Sequence, residues 1–190
     1  MKIAEEKIIA DAMLDLLSNR YKKCLVAGGA PRDWYLERSC SDIDIFILTK
    51  DSLDDVIQYS SCLGLGDFKQ KGNLENREYE GATIGLKGVL ESEVLYKKIQ
   101  LVVVEDKTYR KLVSGFPNTI SKFWYSDKTI GGFIEARESI STKTIGFVDL
   151  YTPYATKIMN KFPEYKAITI KEFNNTICSV EGVHYDTSTT

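Results

Sequence analysis

The sequence predicts an α/β (α+β) fold in which a mixed sheet is flanked by helices, and three observations support it. Apolar residues recur at helical spacing between residues 3 and 17. A strand, a glycine turn, a short helix and a second strand then follow between residues 22 and 49. The run Ile-Gln-Leu-Val-Val-Val at residues 99–104 has the composition of a buried strand.

The length of 190 residues suits one domain or a domain with a small appendage. We expect a core over residues 1–110 and a small strand-and-helix extension, packed on the core, over residues 111–190. A net charge of -2 argues against bulk binding to nucleic acids but is compatible with a local basic patch.

The cysteines and the apolar runs indicate a reducing compartment. Four scattered cysteines without a C-x-x-C pair, beside one histidine, favour reduced thiols over disulfides or a zinc site. The amphipathic, acidic start does not resemble a signal peptide, and no apolar run reaches membrane length. We therefore expect a cytoplasmic protein without a membrane partner.

The first half of the chain predicts five elements. A helix over residues 3–17 ends at Ser18-Asn19, and a strand over residues 22–27 leads into a tight turn. Pro31 fits the first turn of a helix that runs from Arg32 to about Arg38, because its missing N–H is not needed there. A strand follows at residues 42–49, with isoleucines at 43, 45 and 47 on one face, and a surface helix covers 51–62.

The second half gives weaker patterns. Residues 64–82, rich in glycine and charge, predict a loop with short strands. Further predicted elements are strands at 82–89, 99–104 and 120–125, short helices at 107–113 and 154–162, a hairpin arm at 131–138 and a frayed end at 186–190. Phe116-Pro117 and Pro163 each end one of these helices.

Asp42 and Asp44 form the most informative pair of side chains. They lie two residues apart on a predicted strand, so both carboxylates project from the same face. Adjacent carboxylates repel each other, and a divalent cation removes this conflict. Hard oxygen ligands suit Mg²⁺, with Mn²⁺ as an alternative. Two such ions would clamp the attacking and leaving oxygens of a phosphoryl group.

The stretch before this pair supplies partners for phosphates. Gly28 and Gly29 lack side chains, so their backbone N–H groups can approach a phosphate closely. Arg32 would add a fixed cation, and Asp33 would either position Arg32 or accept a hydrogen bond from a ribose. A lone D-x-D pair or a lone Gly-Gly turn is common in proteins without this chemistry. Their combination favours a nucleotide site.

These residues resemble the motif of the DNA polymerase β-type nucleotidyltransferase superfamily, in which Gly-Gly precedes Asp-x-Asp. Gly-Gly-x-x-Arg-Asp with the following Leu36-Glu37-Arg38 is similar to the head of bacterial poly(A) polymerases and tRNA nucleotidyltransferases. A later Phe-Pro-x-x-Ile segment and a Lys-x-Phe-Pro helix end make the arrangement most similar to small phage-encoded nucleotidyltransferases. The specific likeness covers about residues 20–50, and a looser one reaches about residue 165.

The resemblance implies roles for the residues that match. Gly28 and Gly29 would hold the triphosphate of an NTP, Arg32 and Asp33 would contact the nucleotide, and Asp42 and Asp44 would bind the metal. The implied reaction moves an NMP from the NTP to a hydroxyl, with pyrophosphate released. Asp42 or a hydroxide at the metal would assist removal of the hydroxyl proton. The acceptor would be an RNA or tRNA 3′ end or another hydroxyl, and a phage origin would place the protein in the host cytoplasm.

Two departures from the family pattern keep other functions open. Many members carry a third carboxylate on a later strand, where this chain has Gln100, while Glu105 lies on the opposite face. The Glu-Asp-x-x-Arg element that selects bases is absent, because Arg110 comes one residue too late after Glu105-Asp106, and no helical tRNA-binding body is expected. CCA addition is therefore not expected. The alternatives are a weak or inactive relative that binds a nucleotide or a host protein, and a toxin-like enzyme that nucleotidylates proteins.

Four further features are candidates for function, and most of them also have a structural interpretation. Phe123-Trp124-Tyr125 is typical of a core strand, although one ring is able to stack on an acceptor base. Lys157, Lys161 and Lys166 suit a solvated helix face, or contact with a nucleic-acid backbone. Lys97-Lys98 suggests a phosphate patch, and His184 lacks the companions of a catalytic triad.

Overall fold

The computed structural model describes residues 2–63, 68–71 and 85–181. These residues contain seven α-helices, one 3₁₀ helix and nine strands. The helices are α1 Ile3–Ser18, α2 Gly29–Tyr35, α3 Leu53–Cys62, α4 Tyr109–Ser114, α5 Ile134–Ser141, α6 Pro153–Lys161 and α7 Ile170–Glu181. The strands are β1 Cys24–Ala27, β2 Asp42–Thr49, β3 Lys69–Gln70, β4 Leu86–Val94, β5 Lys97–Glu105, β6 Phe123–Ser126, β7 Thr129–Gly132, β8 Thr144–Phe147 and β9 Lys166–Thr169.

Seven of these strands form one mixed sheet in the order β3-β4-β5-β2-β1-β6-β7. β2 and β5 are parallel, with Asp44 beside Gln100, and the other neighbouring pairs are antiparallel. The predicted fold class, a mixed sheet flanked by helices, is confirmed. Two strands of this sheet, β6 and β7, lie after residue 110. The division of the chain into a core over residues 1–110 and an extension over residues 111–190 stays a prediction.

Strand parity divides the side chains of β2 between two apolar layers. Ile43, Ile45 and Ile47 are fully buried against α1 and α3, as the sequence predicts. Phe46 and Leu48 pack on the other face, against α4 and Phe116. Burial of each large apolar side chain stabilises the fold by about 1.5–3 kcal/mol. A shift of one residue would therefore be costly, and the alternation holds Asp42 and Asp44 on the α4 face.

A second, two-stranded sheet places α6. β8 and β9 are parallel, and α6 forms the connection between them. Phe147, Ile158 and Phe162 are buried together in a third apolar cluster with Ile120, which precedes β6. This cluster fixes α6 against β8 and the segment that precedes β6.

In the first half of the chain, the observed elements agree closely with those predicted from the sequence. The helix α1, the strand β2 and the helix α3 match their predictions, and the side chain of Ser52 caps α3. The helix after the glycine turn begins at Gly29, three residues before the predicted Arg32, and ends at Tyr35. Pro31 thus lies within the first turn, where it costs no hydrogen bond.

The second half departs from the predictions at several places. A 3₁₀ helix, Thr119–Ser121, replaces the start of the predicted strand 120–125, because the Asn118 side chain accepts a hydrogen bond from the Ser121 N–H. The hairpin arm predicted at 131–138 is wrong over most of its length, because β7 covers Thr129–Gly132 and α5 begins at Ile134. The predictions omitted β8, β9 and α7. The strand predicted at 82–89 begins, within the described residues, at Leu86 and continues to Val94.

The described part of the chain has no helix that is both long enough and apolar enough to span a bilayer. Cys24, Cys40 and Cys62 are free thiols. His184, the frayed end 186–190 and the predicted loop 64–82, apart from residues 68–71, lie outside the described residues.

Candidate active site

The two aspartates lie at one edge of the main sheet. Asp42 is the first residue of β2 and Asp44 the third, and both are half-buried on the same face. β1, which is antiparallel to β2, ends at this edge, so Gly28 and Gly29 come directly beside them. The residues that the sequence predicted as one site therefore meet at one place.

A cleft of about 110 Å³ opens between this edge and α6. Five predicted site residues line it: Gly29, Arg32, Asp33, Asp42 and Asp44. Ser41 and one face of α6 complete the lining, with Tyr154, Lys157, Ile158 and Lys161. Carboxylates and cations thus face each other across a narrow gap.

Gly28 shapes the turn into the cleft. Its φ of +86° is in the region that L side chains rarely adopt, so a residue with a side chain would be strained here. Its N–H donates to the Phe123 carbonyl at 3.0 Å, which ties the turn to the neighbouring strand. Gly29, the next residue, lines the cleft.

Asp33 pairs with two cations. Its Oδ1 accepts a hydrogen bond from Arg32 Nε at 2.9 Å, and its Oδ2 accepts one from Lys161 Nζ at 2.6 Å. The Asp33 side chain is only 1% exposed, so these charge-assisted bonds replace the solvation that it lacks. Arg32 also lies 4.9 Å from the centroid of the Phe162 ring, within cation–π range. This arrangement joins α2 to the end of α6.

A buried polar cluster anchors the loop that leads into Asp42. The Glu6 carboxylate, on α1, accepts hydrogen bonds from Lys97 Nζ at 2.7 Å, Trp34 Nε1 at 2.7 Å and the Cys40 N–H at 3.2 Å, and another from the Ser39 hydroxyl. Burial alone would raise the pKa of Glu6, but these bonds outweigh it and lower the pKa to about 2. The loop therefore has a fixed path into β2.

Ser41, the residue before Asp42, forms a hydrogen bond with the Asp42 carboxylate. The Ser41 hydroxyl donates to Asp42 Oδ1 at 2.6 Å. This bond holds one oxygen of the half-buried carboxylate at the mouth of the cleft. Ser41 was not among the predicted site residues, and its position just before the D-x-D pair is the only sequence feature that points to it.

Gln100 lies opposite Asp44 on the neighbouring strand β5, as the strand alignment predicts. Its side chain is buried, and its Nε2 donates to Glu91 Oε2 at 2.8 Å. Glu91 pairs in register with Gln100 from β4 and also binds Lys98 at 2.8 Å. The hydrogen bond from Lys98 lowers the pKa of Glu91, and the weaker effect of the hydrogen bond from Gln100 adds to it, although partial burial acts in the opposite direction. The amide of Gln100 is thus held by a carboxylate that sequence reasoning overlooked.

Other candidate residues have structural surroundings. Phe123 and Tyr125 are buried and Trp124 is half-buried, which supports the core interpretation. Lys97 is buried in its pair with Glu6, so it does not contribute to the phosphate patch predicted at Lys97-Lys98. Lys166 begins β9 and is not among the residues that line the cleft.

The sequence did not indicate that Lys161 would lie beside the glycine turn and the D-x-D pair. The spacing of Tyr154, Lys157, Ile158 and Lys161 shows that they share one helix face, but not that this face meets the D-x-D pair.

A larger hollow of about 430 Å³ lies where β1 begins and β6 ends, between Cys24 and Ser126. We assign the site to the smaller cleft because the predicted carboxylates and glycine turn converge there.

The donor set of the cleft fits a magnesium ion. Among the described ranges no group of three His, Cys, Asp or Glu side chains is placed to bind a metal. Mg²⁺ commonly uses only one or two carboxylates and completes its octahedron with water and substrate phosphates. Asp42 and Asp44 are two such carboxylates on one face, and the cleft in front of them has room for further ligands. They are therefore the residues that would bind the ion.

Comparisons with known proteins give a structural likeness alone. No protein-family model and no curated protein matches the sequence. The chain is similar to a tRNA-processing enzyme in an apo form, with a TM-score of 0.59 and 13% identity over 90% of this chain and 46% of that one. It is also similar to the Thermotoga maritima CCA-adding enzyme complexed with tRNA, with a TM-score of 0.53 and 15% identity over 78% of this chain and 36% of that one. For a CCA-adding enzyme with ATP, the TM-score is 0.54 and the identity 15%, over 84% and 38% of the two chains.

The chain spans less than half the length of each of these structures. The matched regions include 78–90% of this chain. Identities of this size establish a fold and leave activity to other evidence. The chain therefore has the mixed α/β fold of the nucleotidyltransferases.

Proposed function

We propose that this protein is a metal-dependent nucleotidyltransferase that moves an NMP from an NTP to a hydroxyl acceptor. The observation that carries the proposal is the cleft in which Asp42 and Asp44 face the cations of α2 and α6. Paired carboxylates suit a divalent cation, and fixed cations suit phosphates. The fold of the chain supports the same function.

Different residues of the cleft would bind the metal and the triphosphate. Asp42 and Asp44 would hold Mg²⁺, with two ions as the expected number, and Gly28 and Gly29 would let the backbone approach the triphosphate. Arg32, fixed by Asp33 and Phe162, provides positive charge beside them. When bound, the metal would supply Lewis-acid stabilisation of the charge on the phosphoryl oxygens.

The reaction itself is a substitution at phosphorus. The oxygen of the acceptor hydroxyl forms a bond to the α-phosphorus, and the bond from that phosphorus to the bridging oxygen of the β-phosphate breaks. Pyrophosphate leaves with the electron pair. Asp42, which stands half-buried at the mouth of the cleft, takes up the hydroxyl proton.

The size of the cleft limits what it encloses. Pockets that enclose a ligand of drug size measure about 300–1,000 Å³. A cleft of about 110 Å³ therefore holds only part of an NTP, and the base extends beyond it. This fits the absence from the sequence of the Glu-Asp-x-x-Arg base-selecting element.

An RNA 3′ hydroxyl is the acceptor that the comparisons favour. One structural neighbour is complexed with tRNA, and another is described as a tRNA nucleotidyltransferase with a primer tRNA and an ATP analogue. The present chain covers less than half of each, so its acceptor need not be a whole tRNA.

A nucleotide-binding protein without transferase activity is the second candidate. The observation that favours it is Gln100, a neutral amide beside Asp44 where many nucleotidyltransferases have a third carboxylate. Such a protein would bind an NTP in the presence of Mg²⁺ without releasing pyrophosphate.

One experiment separates these functions. The protein is incubated with Mg²⁺ and each NTP labelled at the α-phosphate, with and without total RNA and cell lysate. Label that enters RNA, with pyrophosphate release, is the expected result. Label that enters a protein band would indicate protein nucleotidylation, whereas NTP binding without transfer would identify the second candidate.

A further inference from the structure

The face of α6 that lines the cleft combines two lysines with two anchoring side chains. Tyr154, Lys157, Ile158 and Lys161 lie three or four residues apart and so share one side of the helix. Ile158 is buried in the apolar cluster that holds α6 in place. The lysines are directed to the cleft by the same packing, opposite Asp42 and Asp44.

Lys161 is fixed at the cleft without being sealed inside the protein. Its Nζ lies 2.6 Å from Oδ2 of Asp33, but 38% of its side chain remains exposed. An ammonium group has three donors, and the contact with Asp33 requires one of them. Lys161 can therefore bind a second anion from the solvent side without losing its first partner.

Two cations, Arg32 and Lys161, share the single buried carboxylate of Asp33. One buried carboxylate lies between Arg32 and Lys161, and Lys157 lies one helical turn before Lys161 on the same face. The cleft thus has a cationic wall on α2 and α6 and a carboxylate wall on β2. A triphosphate bound with a metal at the carboxylates would carry its β- and γ-phosphates towards the cationic wall.

We propose that Lys157 and Lys161 bind the β- and γ-phosphates of the NTP, and that Asp33 is a positioning residue that holds Lys161 for this contact. This inference rests on the proposed function, since it concerns the same nucleotide. It assigns the binding of the pyrophosphate end to α6 as well as to the glycine turn. Asp33 is then occupied by Arg32 and Lys161 instead of a ribose.

Equilibrium dialysis with Mg²⁺ tests the proposal on the full chain. The dissociation constants of NTP, inorganic pyrophosphate and NMP are measured for the unaltered protein and for Lys161→Gln, Lys157→Gln and Lys161→Arg. Lys171→Gln, on the exposed start of α7, is the matched control.

Each Gln variant in the cleft is expected to bind NTP and pyrophosphate about tenfold more weakly, because a charge-assisted hydrogen bond is lost. Binding of NMP should stay unchanged, since it has no β- or γ-phosphate. Lys161→Arg should retain most of the affinity, and Lys171→Gln all of it.

The failure of this inference differs from the failure of the proposed function. NTP binding that both Gln variants leave unchanged, or equal weakening for NTP and NMP, would overturn the role of α6 alone. Absence of NTP binding by the unaltered protein would overturn the proposed function, and with it this inference. A thermal melt of each variant identifies any loss that comes from unfolding.

Discussion

Lys161 Nζ, on α6, lies 2.6 Å from Oδ2 of Asp33, on α2, although 128 residues separate them in the sequence. The contact joins the glycine-turn motif to the last third of the chain. It gives a buried carboxylate its second cation and closes one side of the candidate active site.

The pairing of Asp33 with two cations predicts unequal costs of substitution. Asp33→Asn should lower the free energy of unfolding by about 3–5 kcal/mol, because it leaves the buried Arg32 charge without its carboxylate. Lys161→Gln should cost about 1 kcal/mol or less, since that side chain is partly solvated. Urea unfolding of both variants and of the double variant measures these costs.

In that double-mutant cycle the two changes should couple by about 0.5–1 kcal/mol. Additive costs would show that the Asp33–Lys161 contact contributes nothing to the folded state. Equal costs of the two single variants would contradict the leading role of Arg32 in the effect of Asp33→Asn.

The carboxylate pair predicts a loss of activity without a loss of stability. Asp42→Asn and Asp44→Asn should each lower the transfer of labelled NMP by about 100-fold or more, because metal binding supplies several kcal/mol of transition-state stabilisation. The melting temperature should stay constant or rise, since each change removes one of two adjacent negative charges. Transfer assays and thermal melts measure the two effects.

The matched control for this pair is Asp54→Asn, which changes an exposed aspartate on the surface helix α3. It should leave transfer unchanged. Full activity of either variant at the D-x-D pair would remove the proposed site.

The bond between Gln100 and Glu91 predicts what a third carboxylate would do. Gln100→Glu should destabilise the fold by about 3–5 kcal/mol, because a donor becomes a buried charge beside Glu91. Adding Glu91→Gln should recover most of this loss by restoring an amide–carboxylate pair with the roles exchanged. Urea unfolding of the single and double variants tests the recovery.

The double variant also places a carboxylate beside Asp44. The Mg²⁺ concentration for half-maximal transfer should then fall, because a metal site gains an anionic oxygen. A double variant that is no more stable than Gln100→Glu would show that Glu91 does not determine the effect.

The buried Glu6 cluster predicts a specific acid dependence. The pKa of Glu6 is lowered from 4.5 to about 2, so its stabilisation is complete above about pH 4.5 and is lost as the pH falls towards 2. The shift corresponds to roughly 3 kcal/mol at neutral pH. Glu6→Gln should remove that contribution and flatten the pH dependence of unfolding between pH 2 and 5.

Denaturant unfolding of the unaltered protein and Glu6→Gln across this range measures the difference. Glu5→Gln, one residue earlier on the exposed side of α1, is the control. Parallel acid profiles for the unaltered protein and Glu6→Gln would show that other carboxylates determine the acid transition.

The sequence by itself determined the elements around the motif and the face on which its carboxylates lie. The period of two in Ile43, Ile45 and Ile47 fixes which side of β2 is buried, and the same parity sets Asp42 and Asp44 together. Gly28 and Pro31 likewise mark the turn and the helix start through local backbone restraints. These features depend on neighbours only a few residues away, so the order of residues is enough to predict them.

Only the tertiary structure decided which distant groups complete the site. The lysines of α6 look like a solvated helix face in the sequence, but β8, β9 and the cluster around Phe162 place that face over Asp33. Strand pairing brings Glu91 to Gln100, and Lys97 is buried in an ion pair with Glu6. Such contacts depend on packing between segments far apart in the chain, and no local spacing encodes them.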